Sequence, residues 1–131
     1  MEKRILSFMM VFLISMVGCN EPAEGQSLDS PKEFQSFIEK NPDAQIIDVR
    51  TPEEYANGSI EGSVLINFYD SDFKDRVQKL DKSKPVMVYC AAGGRSGKAS
   101  KMLVSEGFTN VHDLKGGMGA WTSQGMPVKN Q

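Results

Sequence analysis

The sequence is poor in the residues that most often announce a chemistry. It has one histidine and two cysteines, Cys19 and Cys90. With so few, and no His/Cys/carboxylate cluster, neither a metal centre nor a disulfide framework is expected, and no cofactor motif stands in their place. Positive charge is not in excess either: 15 basic against 17 acidic side chains give a net charge of −2. Nothing is therefore available to neutralise a phosphate backbone, and nucleic acid is not an expected partner. The longest uncharged apolar stretch, Ile5 to Val17, falls short of the ~20 residues that span a bilayer. A length of 131 residues leaves room for one domain of ordinary size. Hydrophobic residues at 40% and charged ones at 24% suffice for one normal core.

The first 18 residues differ from the rest. Lys3 and Arg4 precede the apolar stretch, and Gly18-Cys19 end it. A basic start, a short apolar run and small residues before a cut site describe an export signal. Met16-Val17-Gly18-Cys19 resembles the lipobox of bacterial lipoprotein signal peptides, with Met16 where leucine is usual. That resemblance implies a lipid on the Cys19 thiol, a membrane as partner through this N-terminal lipid, and a place in the cell envelope, facing the periplasm or cell surface. Residues 1–18 read as signal peptide, 19–27 as a lipid-attached polar tether, and 28–131 as the domain.

Beyond Leu28, short apolar runs alternate with helical patterns. Ser30-Pro31 starts a helix carrying Phe34, Phe37 and Ile38 on one face, and Asn41-Pro42 ends it. Gln45 to Arg50, Val64 to Ile66, Pro85 to Tyr89 and Val111 to Leu114 read as strands. Pro85-Val86-Met87-Val88-Tyr89 is the most continuous of them, as a central strand covered on both faces requires. Helices are expected after Pro52, after a cap at Asp70 or Ser71, from Ser96 to Glu106 and from Gly116 to Gln124. This alternation predicts an α/β fold with a mostly parallel sheet and helices on both faces.

In such sheets ligands bind beyond the carboxyl ends of the strands. Cys90 directly follows the central strand and leads into Ala91-Ala92-Gly93-Gly94-Arg95-Ser96-Gly97, then a helix. Glycines let successive N–H groups converge, and the helix start adds partial positive charge. A thiol so placed has its thiolate stabilised, and Arg95 is a permanent cation for a thiolate or an anionic substrate. The plainer alternative is a small buried cysteine before a tight turn; strand end, glycine-rich loop and arginine together favour an activated nucleophile. A nucleotide-binding loop would need a hydroxyl after Lys98, where Ala99 stands.

Val88 to Ser96 resembles the active-site loop of rhodanese-like sulfurtransferases. Ile47-Asp48-Val49-Arg50-Thr51-Pro52-Glu53-Glu54-Tyr55, Gly58 to Ser63 and Leu114 to Trp121 resemble three further motifs of that family, in the same order. The resemblance implies a single rhodanese-like domain with a five-stranded, mostly parallel sheet. It also implies that Cys90 is the catalytic nucleophile and takes sulfane sulfur from thiosulfate or a persulfide, passing it to a thiol or cyanide. Ala91, Ala92, Gly93, Gly94, Arg95 and Ser96 would hold the substrate sulfur. Four residues separate Cys90 from Arg95, one fewer than in phosphatases and arsenate reductases with a related cradle, so the ring suits one sulfur atom. With Ala91 and Ala92 where many thiosulfate-using members carry basic or polar residues, a persulfide or organic donor is expected to be preferred.

Asp48 and Arg50 are expected to support the site, Asp48 by orienting the loop or its arginine, or else as half of a structural ion pair. Arg50 is paired on paper with Glu54. His112 reads as packing or surface, and Trp121 as a cover over the core. The competing class is a non-enzymatic rhodanese-like module that binds protein or carries sulfur or redox equivalents.

Overall fold

A computed structural model describes residues 24–131; the stretch read as an export signal, Cys19 and most of the stretch read as a tether lie outside the described residues. The chain runs β1 (Gln26–Asp29), α1 (Pro31–Lys40), β2 (Gln45–Asp48), α2 (Pro52–Ala56), β3 (Val64–Leu65), α3 (Phe73–Gln78), β4 (Val86–Tyr89), α4 (Gly94–Ser105), β5 (Val111–Leu114) and α5 (Gly117–Ser123). The strands form one sheet in the order β1-β5-β4-β2-β3, and every pairing is parallel. β4 lies at its centre with all four residues buried, which is why its sequence carries no polar alternation.

Helix starts follow local chemistry. Ser30 and Thr51 cap α1 and α2, each with a glutamate three residues on, Glu33 and Glu54, returning the bond, and a proline at the first turn. Two cores result, one on each face. Phe73, Val77, Ala99 and Leu103 of α3 and α4 pack on Ile47, Val88, Cys90 and Val111. Phe34, Met118 and Trp121 of α1 and α5 pack on Ile46, Met87, Tyr89 and Leu114.

Several expectations shift. β1 starts at Gln26, inside the stretch read as tether, because Gln26 and Ser27 pair with Val111 and His112; the ordered domain therefore begins before Leu28. α3 starts after Asp72 rather than at a cap on Asp70 or Ser71, with no side-chain capping bond. α4 begins at Gly94, two residues before Ser96. Trp121 is not a cover: it is fully buried, edge-on to Phe34 with ring centroids 6.2 Å apart, and its Nε1–H donates to the Pro127 carbonyl at 2.7 Å.

Candidate active site

Cys90 is the first residue past β4, and only 1% of it is exposed. Gly93 takes a left-handed φ of +112° as the residue before α4, with no side-chain capping bond there. This turn, open to glycine because it has no Cβ, swings the following amides back over the strand end. The Gly93 N–H donates to Cys90 Sγ at 3.0 Å, and the thiol sits 3.4 Å from Ser96 Oγ. Burial alone would raise the thiol's pKa. The Ser96 hydroxyl and the amides of Ser96, Gly93 and Ala92 outweigh it and hold the thiol below its ordinary value. Ala91, Ala92 and Gly94 contribute backbone rather than side-chain chemistry to this loop.

The loop is also held from behind. Met118 N–H donates to the Cys90 carbonyl at 2.8 Å and Gly119 N–H to the Ala91 carbonyl at 3.0 Å. The two chains approach so closely that a Cβ on Gly117, whose φ is +58°, would stand 2.5 Å from the Cys90 carbonyl oxygen. The start of α5 therefore fixes the path of the loop that begins at Cys90. The pair Gly116-Gly117 was visible in the sequence, but nothing in the spacing told what it would touch.

Arg95 does not point its charge freely at the sulfur. Its two terminal nitrogens grip Glu54 at 2.7 and 3.0 Å, and its guanidinium lies over the Tyr69 ring, 5.7 Å from the centroid. The bonds from Arg95 hold the Glu54 carboxyl down at about 2. The expected Arg50–Glu54 pair is thus replaced. Arg50 instead binds the Asp48 carboxylate through Nε and Nη2 at 3.0 and 2.7 Å, and donates to the Gly58 carbonyl at 2.7 Å. Asp48 shares the face of Tyr89, away from Cys90, so this buried pair pins the end of β2 and the Gly58 turn and touches neither the loop nor Arg95.

His112 does have partners: Nδ1 is 2.7 Å from Asp29 Oδ2 and 2.9 Å from Ser27 Oγ, and its ring stacks on Phe37 at 4.0 Å. It ties β1 to β5 on the face opposite Cys90. Among the described residues, no three His, Cys, Asp or Glu side chains converge on a metal-sized site.

Residues 30–124 match the family model of the Rhodanese-like domain. The chain belongs to the rhodanese-like family. A chloroplastic thiosulfate sulfurtransferase of Arabidopsis thaliana is 37% identical over 93 residues, 63% of this chain and 78% of that protein. The tRNA uridine(34) hydroxylase of Pelagibacter ubique is 38% identical over 91 residues, but these span 67% of this chain and only 29% of the hydroxylase. Among solved structures, a rhodanese-related protein of Thermoplasma volcanium superposes with a TM-score of 0.70 at 29% identity, covering 79% of this chain and 98% of that one. Relatives of this rhodanese-like domain thus include sulfurtransferases and a module within a larger enzyme. Its single-domain α/β fold and five-stranded sheet agree with the expectation from the motifs.

Proposed function

We propose that this rhodanese-like protein is a sulfurtransferase that carries a sulfane sulfur on Cys90. The observation that supports it most is the hydrogen bond from Gly93 N–H to Cys90 Sγ at 3.0 Å, within a loop whose amides and Ser96 hydroxyl favour the thiolate. The thiolate attacks the outer sulfur of the donor. The donor's sulfur–sulfur bond breaks, its electron pair leaves on sulfite or on the donor's thiolate, and Cys90 becomes a persulfide. An acceptor thiolate or cyanide then attacks the outer sulfur, the Cys90 sulfur–sulfur bond breaks, and the thiolate returns. The amides that favour the thiolate also face the persulfide anion and stabilise charge as it moves outward.

The preferred donor in this reading is a persulfide or other organic sulfur compound. Ala91 and Ala92 bring no charge, and Arg95 is engaged by Glu54, so little positive charge is left over for a dianion. Intact mass after incubation with a sulfane donor is expected to show one added sulfur, released by cyanide and absent in Cys90→Ser. Single-turnover loading is expected to be faster from an organic persulfide than from thiosulfate, and the reverse order refutes the preference. If no donor turns over, the chain is a binding or carrier module instead. Export and lipidation at Cys19, with the domain held on a membrane in the cell envelope, complete the proposal; the mass of the N-terminal peptide of native material tests them.

A further inference from the structure

Two buried polar atoms among the described residues have no partner, Asp113 Oδ1 and Ser100 Oγ. They lie on facing elements, for α4 covers β5 and turns Ser96, Ala99, Ser100 and Leu103 inward. Asp113 is only 3% exposed, Ser96 and Ser100 not at all. Asp113 pairs in register with Val88, and Cys90, two residues on, shares the Val88 face. The carboxylate and the nucleophile are therefore diagonal neighbours beneath the first turns of one helix. Asp113 Oδ2 stands 3.8 Å from where a Cβ on Gly97 would lie, against the same turn that brings Ser96 Oγ within 3.4 Å of the sulfur.

A buried carboxylate without a cation is costly, and it resists ionisation accordingly. Desolvation raises Asp113 to about 6; the Ser96 hydroxyl pulls it partly back, and the charge of Asp29 pushes it up. Ser96 and Ser100 face Asp113 from α4, Cys90 from the end of β4, and Asp29 acts on it from β1. His112 and α1 lie on the other face of the sheet, and Lys98, Lys101 and Lys115 are exposed. No ion pair among the described residues includes Asp113. The Ser96 hydroxyl has a single proton to donate; it lies 3.4 Å from the Gly93 carbonyl and 3.4 Å from the sulfur, on the helix turn that packs against this carboxyl.

We propose that Asp113 is a positioning residue for the Cys90 thiolate, acting through the Ser96 hydroxyl. While Asp113 keeps its own proton, the Ser96 hydroxyl turns from the Gly93 carbonyl to the sulfur as the thiolate forms; once Asp113 ionises, it competes for that hydrogen bond, and the thiolate loses a donor and gains a negative neighbour. This deepens the reading of Cys90 as the reactive sulfur, yet its test needs no sulfur transfer. A Cys90 that accepts no sulfur from any donor would sink the proposed activity and leave the titrations below unaffected.

The experiment is the pH profile of iodoacetamide alkylation at Cys90, read by peptide mass, in the wild type, Asp113→Asn, Ser96→Ala and the double variant. The wild type is expected to show an inflection near pH 6 besides that of the thiol. Asp113→Asn is expected to show the thiol inflection alone, lower by about half a pH unit, or roughly threefold more thiolate at a given pH below both. In the Ser96→Ala background the Asp113→Asn effect is expected to vanish. A measurement on the wild-type sequence completes it: the Asp113 carboxyl, followed by carbon NMR, is expected to show a further shift step at the inflection of the thiol, and to lose it after Cys90 is alkylated, since coupling is reciprocal. Superimposable profiles for wild type and Asp113→Asn, or a carboxyl titration curve that alkylation leaves unchanged throughout, overturn the proposal. An Asp113→Asn effect that survives in Ser96→Ala overturns the route through the hydroxyl.

Discussion

The two faces of the sheet each bury a carboxylate, and they treat it in opposite ways. On the Tyr89 face, Asp48 is completely sequestered and receives the Arg50 guanidinium together with the Arg50 backbone N–H. On the Cys90 face, Asp113 is nearly as deep but has an oxygen without any partner. The first arrangement is what structure asks of a buried charge: every lone pair is used and the neighbouring Gly58 turn is fixed with it. The second is tolerated rather than used for stability. Such an unmet group is worth keeping only where its charge state matters to something nearby, and Cys90 is what lies nearby.

Breaking the satisfied side should have the largest effect. Asp48→Ala strands a buried arginine and is expected to cost about 3–5 kcal/mol in urea unfolding, while whatever remains folded still alkylates at Cys90. Neutralising the unsatisfied side should act in the opposite direction. The folded carboxyl of Asp113 titrates at about 6 against 3.8 when unconstrained, so the native state binds more protons between those values. Stability is accordingly lost as pH rises from about 4 to 6. Asp113→Asn is expected to be more stable than wild type by about 2–3 kcal/mol at pH 7 and indistinguishable from it below about pH 4, in denaturation curves across that range.

A smaller effect is expected where one face reaches across to the other. Gly117→Ala adds about 1–2 kcal/mol of strain from its left-handed backbone and pushes the Cys90 carbonyl, so sulfur loading should slow by more than tenfold in single-turnover assays. The smallest change in stability belongs to Glu54→Gln. Its bond to Arg95 holds Glu54 at about 2 against 4.5, a contribution present above pH 4.5 and lost as pH falls toward 2. Both side chains reach solvent, and screening leaves at most about 1 kcal/mol. Its effect on chemistry should be clearer, since releasing Arg95 is expected to raise the rate of loading by thiosulfate relative to a persulfide.

Much of this arrangement could be read from the chain before it was folded. β2 and β4 declare themselves by β-branched runs, and the glycine-rich loop after β4 marks Cys90 by position alone. β1 does not: Gln26-Ser27-Leu28-Asp29 has no apolar pattern, and as an edge strand it needs only one partner, β5, to be held. The partner of Arg95 was equally hidden. Glu54 lies 41 residues away, and no local spacing favours Arg95 over Arg50 as the cation for this acid. In Val111-His112-Asp113-Leu114 two polar residues sit side by side, and only the register and the cover of α4 decide that Asp113 turns toward the sulfur while His112 turns toward Phe37. Local preference writes the strands and helix starts; the pairing of distant charges is settled by packing.

Helices α1 and α2 open on a hydroxyl that binds their first free amides, but α4 opens on Gly93, which has no side chain to offer. The sulfur of Cys90 stands near that place: the Gly93 N–H donates to it, and the Ser96 amide, the one a capping serine would bind, favours its thiolate. The sulfur thus also closes the start of the helix that follows it, and any negative charge it takes on helps keep the first turn wound. Alkylating the sulfur removes that charge, so amide exchange at Gly93 to Ser96 is expected to quicken and to report the chemical state of the sulfur.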